Sequence, residues 1–208
     1  MFIVGLCCQC HRSAIESHVY APKWTEADRS FLVSGLDSTF RLVSEEVGDL
    51  SAAEWEIRPD SSTWSVSMIV EHLITHDELF YRELRVLSSL PPPVLLPDSL
   101  IAPDDIIMSY RDVTSQNRGS SPDYLEPLGR WCSKEDALAG YKKIRYAMTD
   151  YISSYEGNLR AFYTTSGRGP TRYRDLHQLI LISIAHTIRH NTQIRGVKLS
   201  LVSMKENE

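Results

Sequence analysis

Two histidines near the end of the chain, His186 and His190, stand four residues apart, which is the spacing of a metal-binding pair on one helix face. They belong to a stripe that alternates steps of three and four residues: Leu176, Leu179, Ser183, His186, His190, Gln193 and Val197. This periodicity predicts a helix whose stripe faces the protein core. Side chains four residues apart project from the same side of a helix, so the two imidazoles can converge on one point. Burying them without partners would be costly, and a divalent metal would satisfy both, because a neutral imidazole is a good ligand for such ions.

A pair of histidines supplies two ligands, so a third is expected from a facing helix, where His72 and His76 are the candidates. His72 follows Glu71 at the edge of an apolar stripe and should point near the core. Three histidines around a metal leave one coordination position open, which can take water or a substrate thiolate. The alternative is that these histidines are structural or surface residues, because an HxxxH pattern alone is a loose motif.

Three polar residues have two interpretations each. Gln193, just under one turn after His190, could orient that ligand through a hydrogen bond, or it could be a polar residue near the helix end and the surface. Arg145 lies on the apolar stripe of another predicted helix, where it either reaches an anionic substrate group or extends to solvent. Tyr141, one turn before Arg145, is expected to be a core residue rather than a catalytic one.

Four segments with helical periodicity must position these residues. The spacing predicts helices over 26–50, 65–88, 133–159 and 173–199. Thr25 with Asp28, and Ser133 with Asp136, resemble capping boxes at two of the helix starts, and Ser65 is the expected N-cap of the second helix.

A long proline-containing stretch separates the second predicted helix from the third. Three consecutive prolines, Pro91–Pro93, end the second helix, and only a short helix over 103–110 is expected before Trp131. The pattern predicts an all-α fold, a four-helix bundle in a single domain with a long crossover between helices 2 and 3 and no β-strand. The short first and third connections favour antiparallel neighbours, and the crossover lets helices 2 and 3 run parallel. We place the domain at residues 23–200, after a flexible extension over 1–22 and before a C-terminal tail over 201–208.

Composition excludes several partners. The 208 residues carry a net charge of −5, so no global basic field would draw the chain onto nucleic acid or anionic lipid. The most apolar stretch, Leu179–Ala185, is far shorter than the roughly 20 residues that cross a bilayer. No positive charge precedes Arg12, so the chain start lacks the pattern of a secretory signal and a cytoplasmic location is expected.

The cysteines do not form a disulfide framework, because three crowd the N-terminus and Cys132 stands alone. Cys7, Cys10 and His11 fit the CxxCH spacing of covalent haem attachment, with Cys8 between them. Only six residues precede the motif and no distal haem ligand is evident. A zinc ribbon would need a second CxxC pair, so we interpret this cluster as incidental.

A family resemblance follows from two motifs taken together. Trp64-Ser65-Val66 leading into Glu71-His72-Leu73, followed far downstream by the HTIRHNTQ segment of residues 186–193, resembles the DinB-like superfamily over roughly residues 24–199. The resemblance implies a four-helix bundle with a long crossover and a divalent metal held by His72, His186 and His190. His76 has no counterpart in the pattern, so the resemblance makes it the weaker third ligand.

The resemblance also implies a chemistry. The superfamily includes bacterial thiol-dependent S-transferases of the bacillithiol type and a mycothiol-dependent maleylpyruvate isomerase, while many members have no assigned activity. In the better-understood members the metal binds a low-molecular-weight thiol as thiolate and presents it to an electrophile. We therefore expect a metal-dependent thiol S-transferase with a small-molecule substrate, no nucleic-acid or membrane partner, and a homodimeric state as in many relatives. Zinc is the first metal expected, with nickel, iron or manganese as alternatives.

A non-enzymatic protein is the competing interpretation. A metal-binding stress-response or interaction protein would hold a structural metal, and a structural site should be closed by a fourth protein ligand. His76 or Glu71 would be the natural fourth ligand.

Overall fold

The computed structural model describes residues 22–93, 96–112, 121–165 and 173–206. The cluster of Cys7, Cys8, Cys10 and His11, with the extension predicted to be flexible, lies outside the described residues. The described part contains six α-helices: α1 (Glu26–Val47), α2 (Ala52–Glu56), α3 (Val66–Ser88), α4 (Asp104–Met108), α5 (Lys134–Ser154) and α6 (Leu176–Glu206). Four of them are long, which confirms the predicted all-α four-helix bundle.

The predicted helix starts are confirmed by side-chain caps. Thr25 Oγ1 accepts the Asp28 N–H and the Asp28 carboxylate accepts the Thr25 N–H in return. Ser65 and Ser133 cap α3 and α5 by accepting the Met68 and Asp136 N–H groups at their hydroxyl oxygens. In the predicted Ser133–Asp136 pair the carboxylate accepts the Ser133 hydroxyl proton. Such caps satisfy N–H groups that the first helical turn leaves without partners.

The helix ends depart from the periodicity. α5 stops at Ser154 because Tyr155 is extended, and Leu159 lies in a short 3-10 helix (Leu159–Ala161) rather than in the predicted α-helix. α6 begins after Asp175, whose carboxylate accepts the Gln178 N–H, and it runs on to Glu206. Residues 201–206 of the predicted C-terminal tail therefore belong to α6. Leu201 anchors them, because it is buried in the bundle.

A short helix and a pair of short strands were not predicted. α2 has a Ser51–Glu54 capping box and buries Trp55 beside the bundle. β1 (Tyr163–Thr164) pairs antiparallel with β2 (Arg174–Asp175), so the expectation of no strand is wrong for these two short segments. The crossover contains α4, close to the predicted 103–110 helix, followed by a 3-10 turn over Ser109–Arg111.

The order of the long helices around the bundle differs from the chain order. α1 packs against α5 and α6, and α3 packs against the same two helices, so α1 and α3 occupy opposite corners. The antiparallel directions of α1 and α3 agree with the prediction, but the prediction that α1 lies next to α3, and α5 next to α6, is wrong. The α1–α3 and α5–α6 connections, residues 48–65 and 155–175, exceed the few residues that join adjacent helices and reach across the diagonal.

Two apolar clusters establish the helix directions. One cluster joins the N-terminal halves of α1 and α6 to the C-terminal halves of α3 and α5, through residues such as Leu36, Leu179, Leu84 and Met148. The other joins the opposite halves. α3 and α5 therefore run parallel, as the crossover predicts, and α1 runs parallel to α6. Among the described residues, none of the helices combines the length and apolar character that crossing a bilayer would require.

Candidate metal centre

Three histidines from two helices meet inside the bundle. α3 contributes His72, and α6 contributes His186 and His190 from consecutive turns. The Nε2 atom of His186 lies 3.2 Å from Nε2 of His72 and 2.9 Å from Nε2 of His190. All three ligand atoms lie within 4.8 Å of one another, and no other such group of His, Cys, Asp or Glu occurs in the described part of the chain. The structure thus brings together the three residues that the sequence motifs indicate.

Hydrogen bonds fix the protonation of two of these rings. His72 donates from Nδ1 to the Leu125 carbonyl oxygen at 2.9 Å, and His190 donates from Nδ1 to Oε1 of Gln193 at 2.7 Å. Carbonyl oxygens only accept, so both rings carry a proton on Nδ1 and, when neutral, present a bare Nε2 lone pair to the centre. Gln193 therefore orients His190, as the first of its two interpretations predicts.

Burial keeps the three imidazoles uncharged. Desolvation lowers the pKa of His72, lowers that of His186 well below its ordinary value, and lowers that of His190 to about 3. Each neighbouring imidazole would repel a second positive charge, which lowers the pKa values of His186 and His190 further. At neutral pH the centre therefore holds unprotonated nitrogen ligands.

The donor set fits a divalent cation. A neutral His186 has a single N–H group, so it can donate from Nε2 to only one of the two neighbouring Nε2 atoms. At least one of the Nε2 lone pairs of His72 and His190 therefore has no hydrogen-bond donor among the three histidines. Two imidazoles on one tetrahedral zinc, with Zn–N of roughly 2.0–2.1 Å, would have their nitrogens about 3.3 Å apart. The distances from Nε2 of His186 to Nε2 of His72 and of His190, 3.2 and 2.9 Å, are close to this value. Nδ1 of His186 is buried and, among the described residues, accepts and donates no hydrogen bond.

His76 lies beside the centre and does not join it. Its ring stacks on that of His186, with centroids 4.1 Å apart and planes at 29°, and its centroid lies 4.0 Å from that of the Phe80 ring. Of the two candidates for a third ligand, the structure places His72 with the pair and His76 behind His186.

Glu71 holds the crossover over α3. Its carboxylate accepts the backbone N–H groups of Leu128, Gly129 and Arg130 at 2.8, 2.9 and 3.1 Å. Gly129 has φ of +74°, a conformation that glycine adopts without strain. Together with the Leu125 carbonyl on His72, these bonds tie residues 125–130, which we call the strap, to two consecutive residues of α3. Glu71 is thus engaged with the strap rather than placed at the centre.

Arg145 does not take either predicted course. It is buried, and its Nε lies 2.6 Å from Oδ2 of Asp77 in an ion pair within the core. The guanidinium therefore neither contacts the metal centre directly nor extends to solvent. Tyr141 is fully buried as predicted, and desolvation raises its pKa to about 12.

Sequence reasoning missed Asp77, although the pattern contained a signal. Val70, Leu73, Asp77, Phe80 and Leu84 alternate steps of three and four, so Asp77 occupies a core position of α3. Arg145 occupies a core position of α5. Two opposite charges on buried stripes of different helices indicate an internal ion pair, since an isolated buried charge is expensive.

The fold and the site define a class of protein: a helical bundle with a three-histidine group of metal-binding type in its interior. The sequence matches the family model of the DinB superfamily over residues 36–194, so the chain belongs to the DinB superfamily. None of the curated proteins matches the sequence.

A solved structure shares this architecture. It is YfiT from Bacillus subtilis, described as a probable metal-dependent hydrolase with an unusual four-helix bundle topology. The TM-score is 0.55 over 88% of this chain and 94% of YfiT, with 12% sequence identity. At this identity the likeness is one of fold.

Proposed function

We propose that the chain is a divalent-metal enzyme that transfers a low-molecular-weight thiol to a small electrophile, with His72, His186 and His190 as the metal ligands. The observation that carries the proposal is the convergence of three Nε2 atoms without a fourth protein ligand among the described residues. His76 stacks on His186, and Glu71 binds the strap, so both candidates for closing a structural site are occupied elsewhere. A three-ligand site leaves a position for a reactant, which favours an enzyme over a structural metal.

The side chains around the centre prepare it for this role. Leu125 and Gln193 hold the Nδ1 protons of His72 and His190, so their Nε2 lone pairs face inward. Burial keeps these imidazoles neutral at pH 7. A divalent metal, when bound, lowers the pKa of a coordinated thiol or water and so supplies a nucleophile near pH 7.

Hydrolysis is the second candidate reaction. It is favoured by the shared fold of YfiT, which is described as a probable metal-dependent hydrolase. The same three ligands would serve either reaction, because only the incoming nucleophile differs, a thiol in one case and water in the other.

We also propose a metal, a substrate class, a location and an oligomeric state. Zinc is the first metal to test, with nickel, iron and manganese next, because three imidazoles accept several divalent ions. We propose a small-molecule substrate, a cytoplasmic location and a homodimer. The net charge of −5 supports the absence of nucleic-acid and membrane partners.

The test is an activity comparison on metal-loaded protein. A panel of low-molecular-weight thiols is combined with a chloro-nitroaromatic, so that transfer forms a C–S bond, releases chloride and delivers the thiol proton to buffer. A nitrophenyl ester without thiol measures hydrolysis. Wild type is compared with the His72→Ala, His186→Ala, His190→Ala triple variant and with His177→Asn, which removes a histidine far from the centre.

Three outcomes separate the candidates. Thiol-dependent chloride release that is lost only in the triple variant would support the transferase. Ester cleavage alone, lost in the same variant, would replace the transferase by the hydrolase. Bound metal with neither activity would contradict the enzyme and favour the structural-metal protein.

A further inference from the structure

The buried ion pair of Asp77 and Arg145 contacts all four long helices. Arg145 of α5 donates to the Thr39 hydroxyl of α1 at 3.1 Å and to the Thr187 hydroxyl of α6. Asp77 of α3 accepts the Ser183 hydroxyl proton of α6. Both charged side chains are at least nine-tenths buried.

The contacts on α6 lie close to the metal ligands. Ser183 lies three residues before His186, one turn away on the same stripe, and Thr187 lies between His186 and His190 in the sequence. On α3, Asp77 follows His76, whose Nδ1 is 3.6 Å from Asp77 Oδ1 and whose ring stacks on His186. The pair therefore joins both helices that supply the histidines: its α6 contacts lie within one turn of the ligands, and Asp77 lies five residues after His72 on α3.

Stability alone does not account for such a pair. Desolvating two charges costs about as much as their attraction returns, and apolar residues of similar volume often serve a core equally well. The best-attested use of buried polar groups is to specify one register between helices. A shift of one residue along α6 would move each histidine by about 1.5 Å and turn it by about 100°. Metal ligands tolerate only about 0.2 Å.

We propose that Asp77 and Arg145 are positioning residues that fix the rotation and axial register of α6 against α3, so that His186 and His190 meet His72. The inference rests on the proposed metal site for its role in function. The positions of the three imidazoles, which the ion pair is proposed to fix, are defined with or without a bound ion.

The test replaces the pair by apolar residues in an Asp77→Leu, Arg145→Met double variant. Three of the hydroxyls left behind keep partners, because Thr39 donates to the Gly35 carbonyl, Thr187 donates to the Ser183 carbonyl, and Tyr141 hydrogen-bonds Thr187. The Ser183 hydroxyl loses its Asp77 acceptor. A milder variant, Ser183→Ala, removes only the α6 contact of Asp77. The matched control is Asp175→Asn, which neutralises a fully buried partner of Arg160 at the start of α6 and keeps the helix cap.

Two readouts report on the centre rather than on folding. Titration with Co²⁺ gives the dissociation constant and a visible spectrum that depends on ligand geometry. Imidazole ¹H–¹⁵N spectra of the metal-free proteins report the environments of the three rings directly. Circular dichroism and thermal unfolding record whether each variant is folded.

The double variant is expected to fold, to bind Co²⁺ at least tenfold more weakly than wild type, and to show altered visible and imidazole spectra. Ser183→Ala should weaken Co²⁺ binding severalfold with a smaller spectral change, and Asp175→Asn should leave affinity and spectra unchanged. The inference would be overturned if Ser183→Ala and a folded double variant both kept the wild-type Co²⁺ affinity and spectra. If the double variant does not fold, wild-type affinity and spectra in Ser183→Ala alone would overturn it. If wild type bound no metal, the proposed function would fail, while the imidazole spectra would still decide the positioning role.

Discussion

Gln193 accepts the Nδ1 proton of His190 at 2.7 Å and so decides which nitrogen of that ring faces the centre. Groups that orient a ligating histidine in this way typically contribute ten- to a hundredfold in metal affinity. Sequence spacing suggested this role for Gln193, because a residue three positions on lies on the same helix face. It could not indicate the Leu125 carbonyl, since that partner comes from the crossover and depends on the tertiary fold.

We expect Gln193→Ala to lower metal affinity by about tenfold, because the His190 ring loses the acceptor that holds its orientation and tautomer. Thr192→Ala is the control, since Thr192 is an exposed neighbour on the same helix. Competition titration with a chromophoric chelator measures both variants. Equal affinity in Gln193→Ala and Thr192→Ala would show that Gln193 does not orient the ligand.

The strap couples the crossover to the site at the scale of the element. Glu71 and His72 are adjacent on α3, and each binds backbone groups of residues 125–130. The Glu71 carboxylate accepts three backbone N–H groups, whereas a glutamine side chain has one acceptor oxygen and an NH₂ group that only donates. A glutamine at this position must therefore lose at least one of these hydrogen bonds.

Glu71→Gln is expected to loosen the strap and, through Leu125, to weaken metal binding severalfold. Glu78→Gln is the matched control, because Glu78 is an acid of α3 that contacts the Arg130 side chain and none of the strap amides. Hydrogen exchange of the Leu128, Gly129 and Arg130 amides should accelerate in Glu71→Gln alone. Unchanged protection of those amides in Glu71→Gln would contradict the coupling.

A second prediction at the scale of the element concerns the part of α6 that extends beyond residue 199. Leu201 is buried in the cluster that joins α3 and α6, whereas its neighbour Val202 is 55% exposed. Leu201→Ala should lower the free energy of unfolding by about 2 kcal/mol, at the lower end for a buried leucine because it lies near a helix end. Val202→Ala should change it by less than about 0.5 kcal/mol. Denaturant unfolding that gave equal losses would mean that the last turns of α6 do not pack as described.

Helix existence and the histidine-bearing faces were predictable because they depend on local periodicity and caps. The three-four stripes of α3 and α6 and the caps at Thr25, Ser65 and Ser133 needed no tertiary information. The order of helices around the bundle was not predictable in this way. Short connections suggested neighbours, while α2 and the β1–β2 pair make the connections long enough to cross the diagonal.

At the scale of the whole molecule, buried neutral histidines should make the metal-free protein sensitive to mild acid. His177 lies in the first turn of α6, nine residues before His186, its Nδ1 accepts the Trp24 indole N–H at 3.2 Å, and burial lowers its pKa from 6.5 to about 4. As pH falls, the unfolded chain takes up this proton near pH 6.5 and the folded chain only near pH 4. Stability is therefore lost as pH falls through this window.

His177→Asn should reduce this loss, since the variant has no proton to take up at this position and its amide oxygen can replace Nδ1 as acceptor. The difference between pH 7 and pH 4 should shrink by up to about 3 kcal/mol, from 1.36 kcal/mol per pKa unit. A residual slope should remain, because the pKa of His190 is also lowered, to about 3. Urea unfolding of the metal-free proteins across this range measures the effect, and identical slopes would contradict a buried neutral His177.

The proposed function requires a metal held by three histidines from two helices that lie side by side in the bundle. The most direct measurement is the metal content of protein purified without an affinity tag, for wild type and for the His72→Ala, His186→Ala, His190→Ala triple variant. We predict close to one divalent ion per chain in wild type and trace metal in the triple variant. Equal, trace metal in the two proteins, even after incubation with zinc, would contradict the metal centre.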